Sequence, residues 1–266
     1  MGSDIPQRPE PNSIHDSHSP EPGRRRAPSA KRQKTEHQTH HHTATAAHPP
    51  DPPPPMATAP IVESFRLEHA PATHSVHVAV FRDVENAAFL HQQLLAKNAD
   101  FEYALIDGGA ITSRLQVLSA AFKAITVQAA GTMKTPNVHS EIVYSLSPAS
   151  NIAEAYRRHG IAPTSRGLVI VKVLVAPSTT TDITTPATDA KVPLTAQDVE
   201  KHLLTHVRGK PVPFTDQTLS ALTDWGRVRK YYKLNGVSWL DGIKDQAAKN
   251  REMDMLVMGG MALRGV

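Results

Sequence analysis

His139, Ser140 and Glu141 stand in a row and carry the residue types of a hydrolase triad. In such a triad a serine attacks, a histidine takes its proton and a carboxylate orients the ring. Neighbouring side chains of a strand point to opposite faces, so as strand residues these three cannot converge. A triad gathered from distant positions would lack the G-x-S-x-G elbow that presents a serine. Anion binding has better-placed candidates. Ser147-Pro148-Ala149-Ser150 precedes a helical stretch from Asn151 to His159, with Ser150 as its cap and Gly160 as its end. Backbone N–H groups at a helix N-terminus receive anions, as they do at any capped helix. Lys134 before this unit and Arg157 and Arg158 within it could extend the site. Basic residues near a helix C-terminus also simply complement its dipole.

Other chemistries find no pattern. G-x-x-x-x-G-K-[ST], G-x-G-x-x-G and HExxH are absent, and Gly108-Gly109 before a helix is an ordinary turn signal. The chain has no cysteine, which excludes disulfides, CxxC redox sites and thiolate nucleophiles. No cofactor is called for. The C-terminal stretch "MDMLVMGGMALRGV" instead suggests protein binding, with four methionines around Gly259-Gly260. Methionine suits adaptable contact surfaces. Two glycines weaken an isolated helix by about 2 kcal/mol relative to alanine, so something must pack against them. A core helix closing the domain satisfies that need equally.

The elements that must position these residues begin at Ile61. "IVESFRLEH" and "SVHVAVFRD" alternate as two strands of an antiparallel hairpin. Asp83 is placed to cap a helix over "VENAAFLHQQLLAKN", and "FEYALID" reads as a short strand. A long helix is expected from Ala110 to about Ala130, with Ile111, Leu115, Leu118, Phe122 and Ile125 on one face and Gly131 as its stop. Ile142, Tyr144 and Leu146 alternate with Val143 and Ser145 as in a buried strand. "GLVIVKVLV" is apolar throughout and suits a central strand buried on both faces. Thr195 caps a helix to about Arg208, and "TDQTLSALTDWGRVRKYYKL" supplies two short helices broken at Gly226. "LNGVSWLDG" reads as irregular. A last helix from Ile243 to Leu263 shares a face through Met253, Leu256, Val257, Gly260 and Met261. A hairpin followed by interleaved helices argues against a doubly wound parallel sheet. The fold class expected is α+β, a largely antiparallel central sheet covered by helices, in a single domain with a disordered N-terminal tail.

That tail, residues 1–56, holds 12 of the 22 prolines before residue 56 and no aromatic residue. Such composition cannot bury enough apolar surface to offset its ordering entropy. "GRRRAPSAKRQK", from Gly23 to Lys34, has two basic clusters at the spacing of a bipartite nuclear import signal. His40-His41-His42 lies in a low-complexity stretch, and Met56 could serve as an alternative start. Residues 176–193 have no periodicity and read as a flexible insertion within a 57–266 domain. A net charge of +4 is modest, so nucleic acid would need a local patch. No apolar run reaches the ~20 residues of a membrane span.

"HVAVFRDVENAAFLHQQLLA", "MKTPNVHSEIVYSLSPASNIAEAYRRHGI", "VRKYYKL" and "MALRGV" together resemble the PRPK-binding-protein (TPRKB-like) family, the kinase-binding subunit of the KEOPS or EKC complex. The resemblance covers roughly Ala57 to Val266. It implies a non-enzymatic α+β domain that binds the atypical kinase/ATPase subunit and, through it, the other KEOPS subunits. It also implies binding of tRNA at the acceptor 3′ end, in support of threonylcarbamoyladenosine formation beside the anticodon by a separate subunit. Links of the complex to telomere maintenance and transcription agree with a chain found in nucleus and cytoplasm. Relatives often read Ser-Pro-Asn-Asn-Asn-Ile in the central loop, whereas this chain has Ser147-Pro148-Ala149-Ser150-Asn151-Ile152 and two fewer amides. Within that frame, residue character assigns Lys134, Ser147, Asn151, Arg157 and Arg158 to RNA. It assigns Met255, Met258, Gly260 and Leu263 to the partner. The competing reading is a purely protein-binding activator of the kinase with no RNA contact.

Overall fold

The structure, a computed structural model, describes residues 60–176 and 193–264. The tail with its import signal and Met56, and almost all of the 176–193 insertion, lie outside the described residues.

Five strands form one antiparallel sheet: β1 (Glu63–Phe65), β2 (His74–Arg82), β3 (Ala104–Asp107), β4 (Leu168–Val175) and β5 (Lys210–Val212). The order is β1-β2-β4-β3, and β5 pairs with Val80–Arg82 on the β2 edge that β1 leaves open. Val171 of β4 stands opposite Val78 on one side and Ala104 on the other. The hairpin and the central, doubly buried β4 are both as the sequence predicts. Alternate residues of β2 and β4 feed two cores. Val76, Val78, Val169 and Val171 meet one helical layer, and Ala79, Phe81, Leu168 and Ile170 meet the other.

The second layer is small, made of α1 (Ala87–Leu95) and α5 (Ala196–His206). Thr195 and Asp198 form a reciprocal capping box on α5, satisfying two N–H groups at once. The α1 cap differs from expectation. Asp83 adopts a left-handed φ of 54° outside the helix, and Asn86 takes the cap position. The Asn86 side chain is committed elsewhere, donating to the His206 carbonyl and accepting from Arg208 N–H, which ties α1 to the end of α5.

The first layer holds α2 (Arg114–Ala129), α3 (Val138–Ser145), α4 (Ile152–His159), α6 (Asp216–Leu222), α7 (Trp225–Tyr231), α8 (Ser238–Gly242) and α9 (Gln246–Ala262). The expected strand at 142–146 is α3, a helix. His139, Ile142, Val143 and Leu146 are spaced i, i+3, i+4, i+7, so helical period fits these residues as well as alternation does. The cap decides it: Asn137 Oδ1 accepts the Ser140 N–H at 2.8 Å. The helix beyond Gly108-Gly109 starts later than predicted, at Arg114 behind a 3₁₀ turn, with Ser113 as its cap. Its buried face is also different, built from Val117, Ala120, Ala121, Ala124 and Ile125. Leu115 and Phe122 point outward. The break between α6 and α7 falls at Thr223-Asp224 rather than Gly226. There Thr223 donates to the Ile111 carbonyl and Asp224 caps α7. "VSWLDG" forms the short α8 where irregular chain was expected.

Candidate functional site

The apparent triad separates into three structural contacts. His139 Nε2 accepts the Val173 N–H at 3.0 Å, serving the edge of β4 two residues beyond its last rung with β3. Nδ1 stands 3.7 Å from Glu102 Oε1. Burial is the main cause that holds the His139 pKa down, so the ring is neutral and able to accept. Glu141 Oε2 accepts from Lys134 N–H, Thr135 N–H and Thr135 Oγ1, which fixes the turn before α3. Ser140 faces the Tyr156 hydroxyl instead of the histidine. Among the described residues no group of three or more His, Asp or Glu could hold a metal ion.

The loop from Leu146 to Asn151 is built as a brace. The Tyr232 hydroxyl donates to the Leu146 carbonyl at 2.5 Å and accepts from Gln116 Nε2 at 3.0 Å. Arg264 donates to the Tyr144 and Ser147 carbonyls and lies over the Tyr144 ring at 4.1 Å. Ser147 is fully buried and its Oγ accepts the Ala149 N–H, so it shapes the loop from within. Asn151, not Ser150, caps α4 by accepting the Glu154 N–H at 2.9 Å. The one asparagine left in this loop therefore supports the helix.

Arg157 and Arg158 diverge on α4 but share one acid. Arg157 is exposed and grips Glu154 Oε2 through Nε and Nη2, while Arg158 pairs with Glu154 Oε1. The Arg157 hydrogen bond is the leading cause that lowers the Glu154 pKa, keeping it ionised. Arg158 also donates to the Tyr231 carbonyl and stacks with Arg227 on the Tyr231 ring, at 5.2 and 5.6 Å. Lys134 is exposed on the neighbouring turn. Beside Arg157 opens a mostly apolar cavity of about 820 Å³, floored by Leu94, Phe101, Tyr156 and Ile161, with Lys97 and Arg157 among its lining residues. That volume falls within the range of ligand pockets. Sequence reasoning missed this cavity, because its walls come from α1, α3 and α4 and the turns between them.

The C-terminal helix shows two faces. Met255 and Leu263 are 67% and 70% exposed and Met258 is half-buried. Gly260 turns inward: a Cβ there would meet the Tyr232 ring at 3.3 Å and Pro148 at 3.7 Å. The close approach that glycine permits is thus made within the chain, against the braced loop. Thr112 Oγ1 donates to Asp254 at 2.5 Å, and Lys123 Nζ donates to the Arg264 carbonyl at 3.4 Å. These two contacts show α2 and α9 running side by side in the same direction. The outward residues of α2, Leu115 (58% exposed) and Phe122 (37%), join Met255 and Leu263 as exposed apolar groups of this helix pair. The sequence signal for them was an excess: α2 carries more large apolar residues than one buried face can take.

An α+β fold with helices on both faces of its sheet, carrying exposed apolar side chains on two neighbouring helices, has the character of a protein-binding module, since contiguous apolar patches mark interaction surfaces. The family described as kinase binding protein CGI-121 matches residues 81–265. The Gibberella zeae protein "EKC/KEOPS complex subunit CGI121" is 54% identical over 205 residues, covering 77% of this chain and 99% of that protein. Its Neurospora crassa counterpart is 45% identical over 207 residues, with 77% and 99% covered. The Schizosaccharomyces pombe counterpart is 34% identical over 160 residues, with 60% and 82% covered. The chain belongs to the CGI-121 kinase-binding family, as the resemblance implied.

Proposed function

We propose that this protein is a non-catalytic subunit of an EKC/KEOPS complex that docks on the kinase subunit and receives the 3′ end of tRNA. A separate subunit then forms threonylcarbamoyladenosine beside the anticodon. The carrying observation is the outer side of α2 and α9, where Leu115, Phe122, Met255 and Leu263 are exposed on helices joined by two contacts, from the start of α2 to the middle of α9 and from the middle of α2 to the end of α9. Relatives bearing the EKC/KEOPS subunit name over nearly their whole length support the assembly. RNA approaches at the turns around α3 and α4, where Lys134 and Arg157 meet phosphate and the neighbouring apolar cavity takes an unpaired base against Tyr156 and Phe101. Asn151 and Ser147 hold the α4 terminus in place, and Arg158 orients Tyr231. The basic clusters of Gly23–Lys34 direct part of the pool to the nucleus, where the complex serves telomeres and transcription.

A specific observation favours the second reading, a kinase activator without RNA contact: both α4 arginines are already paired with Glu154. Co-purification of the full chain with the kinase subunit, scored also for bound tRNA, separates the two. The proposal expects both partners with wild type, and loss of tRNA alone in the doubly substituted Arg157→Glu, Arg158→Glu chain. Unchanged tRNA in that variant, or none with wild type, leaves only the activator.

A further inference from the structure

The two surfaces meet at one residue. Arg264 follows the last turn of α9, and its guanidinium reaches back to the carbonyls of Tyr144 and Ser147 at the exit of α3. Helix C-termini leave carbonyls unsatisfied and carry partial negative charge, so a cation is favoured there. Among the described residues no carboxylate lies within salt-bridge distance of Arg264; its guanidinium meets those carbonyls, with the Tyr144 ring beneath. The carbonyls belong to the loop whose far end, Asn151, sets the start of α4 and hence of Arg157. Leu263, the adjacent residue, points into solvent on the partner-docking face. One turn of helix therefore carries an exposed apolar side chain on its outer side and meets the α3–α4 loop on its inner side.

That turn is the weakest part of α9. Gly259 and Gly260 each lower helix stability by about 1 kcal/mol relative to alanine. Only Gly260 has a steric reason, since a Cβ on Gly259 would meet nothing within 4 Å. A partner that buries Leu263 and Met258 would hold this turn, and with it the Arg264 contacts, more firmly. A second ligand then finds the loop already fixed and loses less entropy on binding.

We propose that Arg264 is a positioning residue that couples the two sites, so that kinase docking on α2–α9 tightens RNA binding at the α3–α4 loop. The coupling rests on the two-site reading above. By linkage RNA must tighten kinase binding by the same factor.

The test measures tRNA affinity of the full-length chain by fluorescence anisotropy, alone and with saturating kinase subunit. The converse titration is run alongside. Wild type should show a factor of about five or more in both directions. Arg264→Ala should bring the factor to one while each partner still binds. Arg264→Lys, which keeps the charge but not the two-carbonyl bridge, should do the same, so a general charge effect is told apart. Gly259→Ala, which stiffens the turn without a contact, should raise RNA affinity of the free chain toward its kinase-bound value. Absence of either binding event in wild type overturns the two-site reading. Both binding events with a factor of one, or a factor that survives in Arg264→Lys, overturns the coupling alone.

Discussion

The Tyr232 hydroxyl donates to the carbonyl of Leu146 at 2.5 Å, joining the end of α7 to the chain that leaves α3, 86 residues earlier. The same oxygen accepts from the fully buried Gln116 of α2. Removing the hydroxyl leaves a buried carbonyl and a buried amide each short of a partner. Tyr232→Phe should therefore lose about 1–3 kcal/mol of stability, read as a lower urea midpoint at unchanged slope. An unchanged midpoint would show that the loop is not held this way.

The two glycines of α9 should answer differently. At Gly259 an added methyl meets open space and gains helix propensity, so Gly259→Ala is expected to stabilise by up to about 1 kcal/mol. At Gly260 the methyl presses on the Tyr232 ring at 3.3 Å and that gain is offset. Thermal midpoints of the two variants check the contrast. Equal stabilisation at both positions would deny the packing of Gly260 on Tyr232.

Stability should fall in mild acid. Burial pushes His159 down to about 4 and also lowers His139, while an unfolded histidine titrates near 6.5. The unfolded state then binds more protons through this window. The histidine contribution is complete above about pH 6.5 and is lost as pH falls toward 4, with roughly 2 kcal/mol gone at pH 5 from His159 alone. Urea unfolding at pH 7.5 and pH 5 measures it. Equal stabilities, or greater stability at pH 5, would contradict the buried neutral rings.

RNA binding should be only weakly salt-dependent. Lys134, Arg157 and Arg158 bring three positive charges, but Glu154 neutralises one. With about two phosphates neutralised, log affinity for a single-stranded 3′ end should fall against log salt with slope near −1.4. Glu154→Gln frees both arginines and should tighten binding and steepen the slope. A variant that binds as wild type does would place the phosphates elsewhere.

Much of the fold was legible in the residues. β2 and β4 declare themselves by alternation and by an unbroken β-branched run, and the Thr195–Asp198 capping box announces α5. Two of the departures share a source. Over seven or eight residues a segment apolar on several sides fits both periods, so the α3 sequence reads equally as a strand, and its Asn137 cap decides for the helix. Likewise helical spacing puts Leu115 and Phe122 with the core, since pattern shows which residues are apolar but not which apolar face finds a partner inside the chain. The loop at 147–151 was legible as a capped helix entry. That Ser147 is buried and Asn151 spent on the cap depends on Tyr232 and Arg264, both more than 70 residues away in sequence.

The central claim is that the outer face of α2 and α9 binds the kinase subunit. Titration of that subunit against the full chain, carrying Phe122→Asp or Leu263→Asp, tests it most directly. Both side chains are exposed, so unfolding midpoints should stay near wild type. The account predicts that each variant weakens kinase binding by about thirtyfold, as expected when a charge replaces an interface anchor worth about 2 kcal/mol. Kinase affinity equal to wild type in both variants would contradict it.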